Sequence, residues 1–238
     1  MLNPKLSLFI VSMILSFACP AQDLKLTFGA DLPLNSYQPA TIIAKLEKAF
    51  AMSGVQFNAI SVPSNRSLQL AHKGVIDGDL SRVSNLHEIT GHRYSNLVRI
   101  DHVMFSVWIA IFTNNPDIEI DNLSDISQYT VCFTNGRKYF DDVFAPLVQP
   151  DNLVKLNSDL QAFELLAKKR VDIVITTSRE GNQLIQDWVK FDQIREVKKL
   201  IKLPVYSYIH KKHSALLDDL TRNLAKVEQQ QELQVVHN

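Results

Sequence analysis

Two stretches of the chain run through the same order of short apolar strands and amphipathic helices, and this repetition limits the fold more than any other feature. In the first stretch, Leu24 to Phe28 alternates with strand period, while Ile42, Ile43, Leu46, Ala49 and Phe50 recur at helical spacing up to Gly54. Val55 to Val62 reads as a second strand, Pro63 to Lys73 as a second helix, and Val75 to Val83 as a third strand after the Gly74 break. The second stretch gives a strand at Val131 to Phe133, a helix from Lys138 to Ala145 and a strand at Leu153 to Leu156. A helix from Ala162 to Lys168, a strand from Val171 to Thr176 and a helix from Arg179 to Trp188 complete it. A β-α-β-α-β order argues a mainly parallel sheet flanked by helices, so the expected class is α/β with two similar units. Leu70 to Asp77 (LAHKGVID) echoes Leu166 to Asp172 (LAKKRVD), one residue shorter, which favours duplication.

Two further runs, Val103 to Phe112 and Leu203 to Ile209, belong to neither unit. They read as two strands crossing between two lobes, after which the chain finishes on a helix from Leu216 to Val227. The expected division is 22–108 and 204–238 for lobe one and 109–203 for lobe two. Two crossings permit a hinge, and small-molecule sites favour the cleft such a hinge leaves.

The start, MLNPKLSLFIVSMILSFACPAQ, has Lys5, an apolar run from Leu6 to Ala18 and then small residues, the plan of a secretory signal with cleavage after Ala21. The run is too short for a membrane span of ~20 residues. Cys19 raises the alternative of a lipoprotein, but Ser16-Phe17-Ala18 before it lacks the aliphatic residue such signals carry. An exported, periplasmic protein is expected. Cleavage at residues 1–21 leaves Cys132 as the one cysteine, so no internal disulfide forms even in an oxidising compartment.

The 25 basic and 25 acidic residues cancel, and with 46% hydrophobic residues the chain is ordinary globular material. A nucleic-acid partner would need a concentrated basic face. Phosphate-loop, dinucleotide-binding and Gly-x-Ser-x-Gly patterns do not occur, and no cofactor is expected. His87 and His92 stand at i and i+5 with Gly91 between, off the i, i+4 spacing of helical zinc sites, and His210 and His213 have lysines between them. Asp77 and Asp79 lack the further oxygen ligands of a calcium loop and read as a turn and strand-end cap. Cys132 reads as a small core residue on a buried strand.

Taken together, LPLNSY after the first strand, PSNRSLQLAHKGVIDGDLSRV, IDNLSDISQYTVCFTNGRKYFDDVF and SDLQAFELLAKKRVDIVITT resemble the family-3 bacterial solute-binding proteins of polar amino-acid transporters. That resemblance covers nearly the whole mature chain and implies the type II periplasmic-binding-protein fold, two lobes closing on a small solute and docking on an inner-membrane ABC permease. It implies that the loop from Asp31 to Tyr37 walls the cleft, with Tyr37 as its aromatic, and that Ser81 and Arg82 line the floor. The turn Thr134-Asn135-Gly136-Arg137, before a helix whose start carries free N–H groups, is implied to meet a ligand carboxylate. The family's amino-acid binders have an acidic residue where this chain has Thr177, and a Thr-x-x-Arg motif matched here, a few residues late, by Thr90-Gly91-His92-Arg93.

Arg82 either clamps a carboxylate or phosphate with its planar fork or pairs with Asp77 or Asp79. Arg66, early in a helix, either reaches the cleft or lies on a solvated face. Trp108 and Tyr206, on the crossing strands, either stack on a ligand or pack the hinge. The expected contacts are Tyr37, Arg66, Ser81, Arg82, Trp108, Gly136, Arg137 and Thr177, around an anionic or zwitterionic, amino-acid-like metabolite bound by a monomer. An in-trans sensory or partner-binding role is the first alternative, and a dehydratase-type enzyme with Glu180 as its acid or base is the second.

Overall fold

The computed structural model describes residues 24–236, so the expected signal segment and Cys19 lie outside the described residues. Lobe one opens with β1 (Lys25–Ala30), α1 (Tyr37–Ala51), β2 (Gln56–Ser61), α2 (Ser64–His72) and β3 (Gly78–Val83). A short α3 (Leu86–Ile89) and β4 (Leu97–Arg99) follow before the first crossing strand, β5 (Phe105–Thr113). Lobe two is β6 (Val131–Thr134), α4 (Lys138–Val143), β7 (Leu153–Leu156), α5 (Asp159–Ala167), β8 (Ile173–Thr177) and α6 (Ser178–Asp187). The chain returns on β9 (Arg195–His210) and ends in α7 (Leu217–Val236).

In each lobe three parallel strands form the interior, with β1 between β2 and β3 and β6 between β7 and β8. The crossing strands run antiparallel to them and to each other, and join both sets into one sheet in the order β2-β1-β3-β9-β5-β8-β6-β7. The long β9 pairs with β5 over most of its length, then with β3 and β4. The sequence expected only Leu203 to Ile209 of this strand. Its first half, REVKKLIK, is an edge of the lobe-two portion, where lysines replace the apolar run that marks a buried strand.

Helix α1 buries Ile42, Leu46, Ala49 and Phe50, the stripe its spacing predicts, under β1 and against Phe28 and Phe57. Helix α7 lies along α1, where Asn223 Nδ2 donates to the Ala49 carbonyl and Lys45 pairs with Glu228 at 3.3 Å. Lobe two closes around Phe112, Phe163 and Phe191, with Cys132 fully buried among them. Burial pushes the Cys132 thiol up to about 12, which suits an inert core residue.

The echo between the two units is structural, and its register is gapless. Residues 70–77 and 165–172 share one hydrogen-bond pattern, with Val75 N–H donating to Leu70 O at 3.0 Å and Arg170 N–H to Leu165 O at 2.9 Å. Gly74 and Lys169 take the left-handed turn that ends each helix, at φ 71° and 54°. Asp77 then accepts from Thr27 N–H at 3.0 Å, as Asp172 does from Thr130 N–H at 2.8 Å. No helix among the described residues is long and apolar enough to cross a membrane.

Candidate functional site

The carboxyl ends of the parallel strands from both lobes face one another, the place where open α/β sheets hold ligands. From lobe one come Asp31, just past β1, the loop leading to Tyr37, and the end of β3. A register shift between Asp79 and Arg82 on β3 matters here, because residues three apart on a regular strand point to opposite faces. With the shift, Arg82 Nε and one terminal nitrogen meet the two Asp79 oxygens at 2.7 and 2.8 Å. The other terminal nitrogen donates to Ser64 Oγ at 2.6 Å, and the Ser64 carbonyl accepts a further bond at 3.0 Å. Arg82 and Asp79 are 7% and 1% exposed, and Ser67 Oγ donates to Asp79 at 2.6 Å. Burial alone would lower the Arg82 pKa, but Asp79 and Asp31 outweigh it and raise it, so this cation is permanent and already paired.

Lobe two mirrors this arrangement with Arg137. Its terminal nitrogens take both oxygens of Asp159 at 3.1 and 2.7 Å, and one also donates to Thr176 Oγ1 at 2.9 Å. Asp31, from lobe one, approaches its Nε at 3.9 Å. Burial opposes the charge, while Asp159 and Asp31 hold the guanidinium pKa above its ordinary value. Thr177 caps α6 by accepting from Glu180 N–H at 3.3 Å. One turn along, Glu180 Oε2 is buried without a hydrogen-bond partner. Burial raises the Glu180 pKa, with Arg137 opposing and Asp159 and Asp31 adding to the rise.

Between these walls lies a cavity of about 690 Å³ lined from lobe one by Asp31 and the 32–37 loop and from lobe two by Arg137, Asp159, Arg179, Glu180 and Asp187. At its edge the Arg179 guanidinium sits 3.4 Å from the centre of the Tyr37 ring, joining α6 to α1. A smaller void of about 90 Å³ adjoins it through Asp31 and Arg137 and is lined by Gln38, Ser81, Arg82 and Thr177. There Gln38 Nε2 donates to Ser81 Oγ at 2.7 Å.

The expected site residues therefore distribute unevenly. Tyr37, Arg137, Ser81, Arg82 and Thr177 line the two inter-lobe voids. Arg66 is exposed on α2 and lines neither of them. Trp108 is 43% exposed and borders an open groove beside α6 instead. Gly136, at φ 89°, lines neither inter-lobe void; a Cβ there would lie 2.5 Å from the Asn65 backbone nitrogen of lobe one, so the turn packs against α2. The six-residue α4 behind it is too short to focus an anion. Arg93 of the Thr-x-x-Arg match is exposed, and Thr90 Oγ1 donates to the Leu86 carbonyl at 2.7 Å. Tyr206 faces Arg99, whose guanidinium stands 4.8 Å from its ring centre.

Asp77 and Asp79 belong to separate networks. Asp77 pairs with Lys212 and His213, which with the Thr27 N–H outweigh its burial and hold it below the usual carboxylate range. His87 and His92 stack at 6.0 Å, and no group of three metal-ligating side chains forms among the described residues. Asp31 stands at the head of the loop that the resemblance made a cleft wall, whereas Asp159, Arg179 and Asp187 were not nominated from the sequence. Asp31 and Asp159 each follow a parallel strand on its carboxyl side, and that position was the available signal.

No known family model matches the chain. An uncharacterised protein of Shewanella oneidensis is 27% identical over 186 residues, 76% of this chain and 69% of its own length. A histidine kinase sensor domain with similarity to periplasmic binding proteins matches with a TM-score of 0.70 at 15% identity, over 91% of this chain and 95% of that one. The arginine-, lysine-, histidine-binding protein ArtJ of Geobacillus stearothermophilus gives 0.69 at 14%, over 87% and 91%. The substrate-binding protein of an amino acid ABC transporter gives 0.68 at 13%, over 87% and 95%.

Proposed function

We propose that this chain, which has the type II periplasmic-binding-protein fold of the family-3 solute-binding proteins, is an exported protein that captures a small solute between its lobes. The observation that carries the reading is the cavity of about 690 Å³ whose walls come from both lobes. A solute that touches Asp31 or Tyr37 on one side and Arg137 or Glu180 on the other stabilises the closed arrangement and shifts an open-closed equilibrium toward it. The contacts at Gly136 and Asn65, Arg137 and Asp31, and Arg179 and Tyr37 are the seams that such a closure forms.

The closed form would then be read by a membrane partner, an ABC permease as for the transporter protein above, or a sensor acting in trans. The sensor-domain likeness supports the second role on equal structural footing. Binding without chemistry is the reading for the cavity, because the proteins it resembles are binding and sensor domains and its Asp159 is held by Arg137.

The test is small-angle scattering and thermal denaturation of the purified protein with and without a panel of amino acids, amines, dicarboxylates and small peptides. A solute present at ~100 times its dissociation constant is expected to add about 2.7 kcal/mol of stability and to reduce the radius of gyration. A folded, ligand-free protein that responds to nothing in the panel would overturn the reading.

A further inference from the structure

Resting on the solute-binding reading, we propose that the ligand of the large cavity is an organic amine without a carboxylate, its cationic nitrogen seated at Glu180. The charge inventory argues for a cation. The lining carries four carboxylates, Asp31, Asp159, Glu180 and Asp187, against two guanidiniums, Arg137 and Arg179. Water leaves a closing cleft, and a carboxylate excess there is met either by proton uptake or by a cationic ligand, so the lining favours a cation over an anion.

Seating follows from which groups are already used. Arg137 gives both terminal nitrogens to Asp159 and Thr176, and Arg82, in the adjoining void, gives its guanidinium to Asp79 and Ser64. Arg179 is exposed at the rim with its face on the Tyr37 ring. The inner wall therefore holds no unpaired guanidinium for a ligand carboxylate, the group every amino acid brings. It does hold an unpaired acceptor, since Glu180 Oε2 is buried and has no partner while the neighbouring Asp159 is occupied. An ammonium or guanidinium donates to such an oxygen by a charge-assisted bond.

The experiment uses matched pairs that differ by one carboxylate: cadaverine with lysine, and agmatine with arginine, titrated calorimetrically into the folded protein, with succinate and glutamate as anionic controls. The expected result is that each amine binds about tenfold or more tightly than its amino acid, and that Glu180→Gln weakens the amines by a similar factor, the scale of one charge-assisted bond. The variant's unliganded melting temperature, at or above that of the parent, shows that it folds. Tighter binding of the amino acids or the dicarboxylates, or amine binding indifferent to Glu180→Gln, would overturn this assignment and leave the solute-binding reading standing. Failure of every class in the wider panel would overturn both.

Discussion

Arg82 and Asp79 are two halves of one buried unit, and each makes the other tolerable. Arg82→Ala strands a carboxylate that is 1% exposed, and is expected to cost about 3–5 kcal/mol, read as a lower urea midpoint. The paired Asp79→Leu, Arg82→Met exchange removes both charges and is expected to recover most of that loss. An unchanged midpoint for Arg82→Ala would show that the pair adds nothing. Glu180 behaves in the opposite sense. Burial lifts its pKa above the ordinary 4.5, so the folded protein holds that proton more tightly than the unfolded chain does. Ionised Glu180 thus costs stability at neutral pH, and the cost fades as pH falls from the raised value to the unfolded one. Glu180→Gln is expected to raise the unliganded melting temperature at pH 7, with the gain vanishing as pH falls into the ordinary carboxylate range. A variant that melts lower at pH 7 would contradict this. At this scale the sequence showed which side chains had a choice. It did not show the choice, because Arg82 meets Asp79 through a strand irregularity and Arg137 meets Asp159 across elements 22 residues apart.

Among the elements, the strands and helices of the two units were legible from apolar period and from glycine breaks. Not legible were α3, of four residues, β4, of three, the lysine-rich first half of β9 and the last turns of α7. Period-based reading needs an apolar face, and an exposed edge strand guards itself with charge instead. The echo was seen one residue out of register because Lys169 does the work of Gly74 in the left-handed turn, and identity alone aligns a lysine with a lysine. Gly136 shows what a turn contributes beyond its own lobe. In Gly136→Ala the added methyl would press on the Asn65 backbone while φ stays in the left-handed region. The expected outcome is a larger radius of gyration with solute present, with the near-ultraviolet signature of each packed core retained. A variant as compact as its parent would place the seam elsewhere.

Across the whole molecule, the sheet runs through both lobes on β5 and β9, so a rotation of one lobe against the other bends two strands and leaves each parallel core intact. The same path has a consequence for how the protein is assembled. Lobe two is drawn from one uninterrupted stretch of chain, whereas lobe one needs β9 beside β3 and α7 against α1, partners more than a hundred residues apart in the chain. Closing that long loop is the entropically slow step. A chain released from its start toward its end thus completes its second lobe first, and the apolar stripe of α1 waits for the last helix to arrive. Until then the unfinished half is the part that a protease or a chaperone would meet.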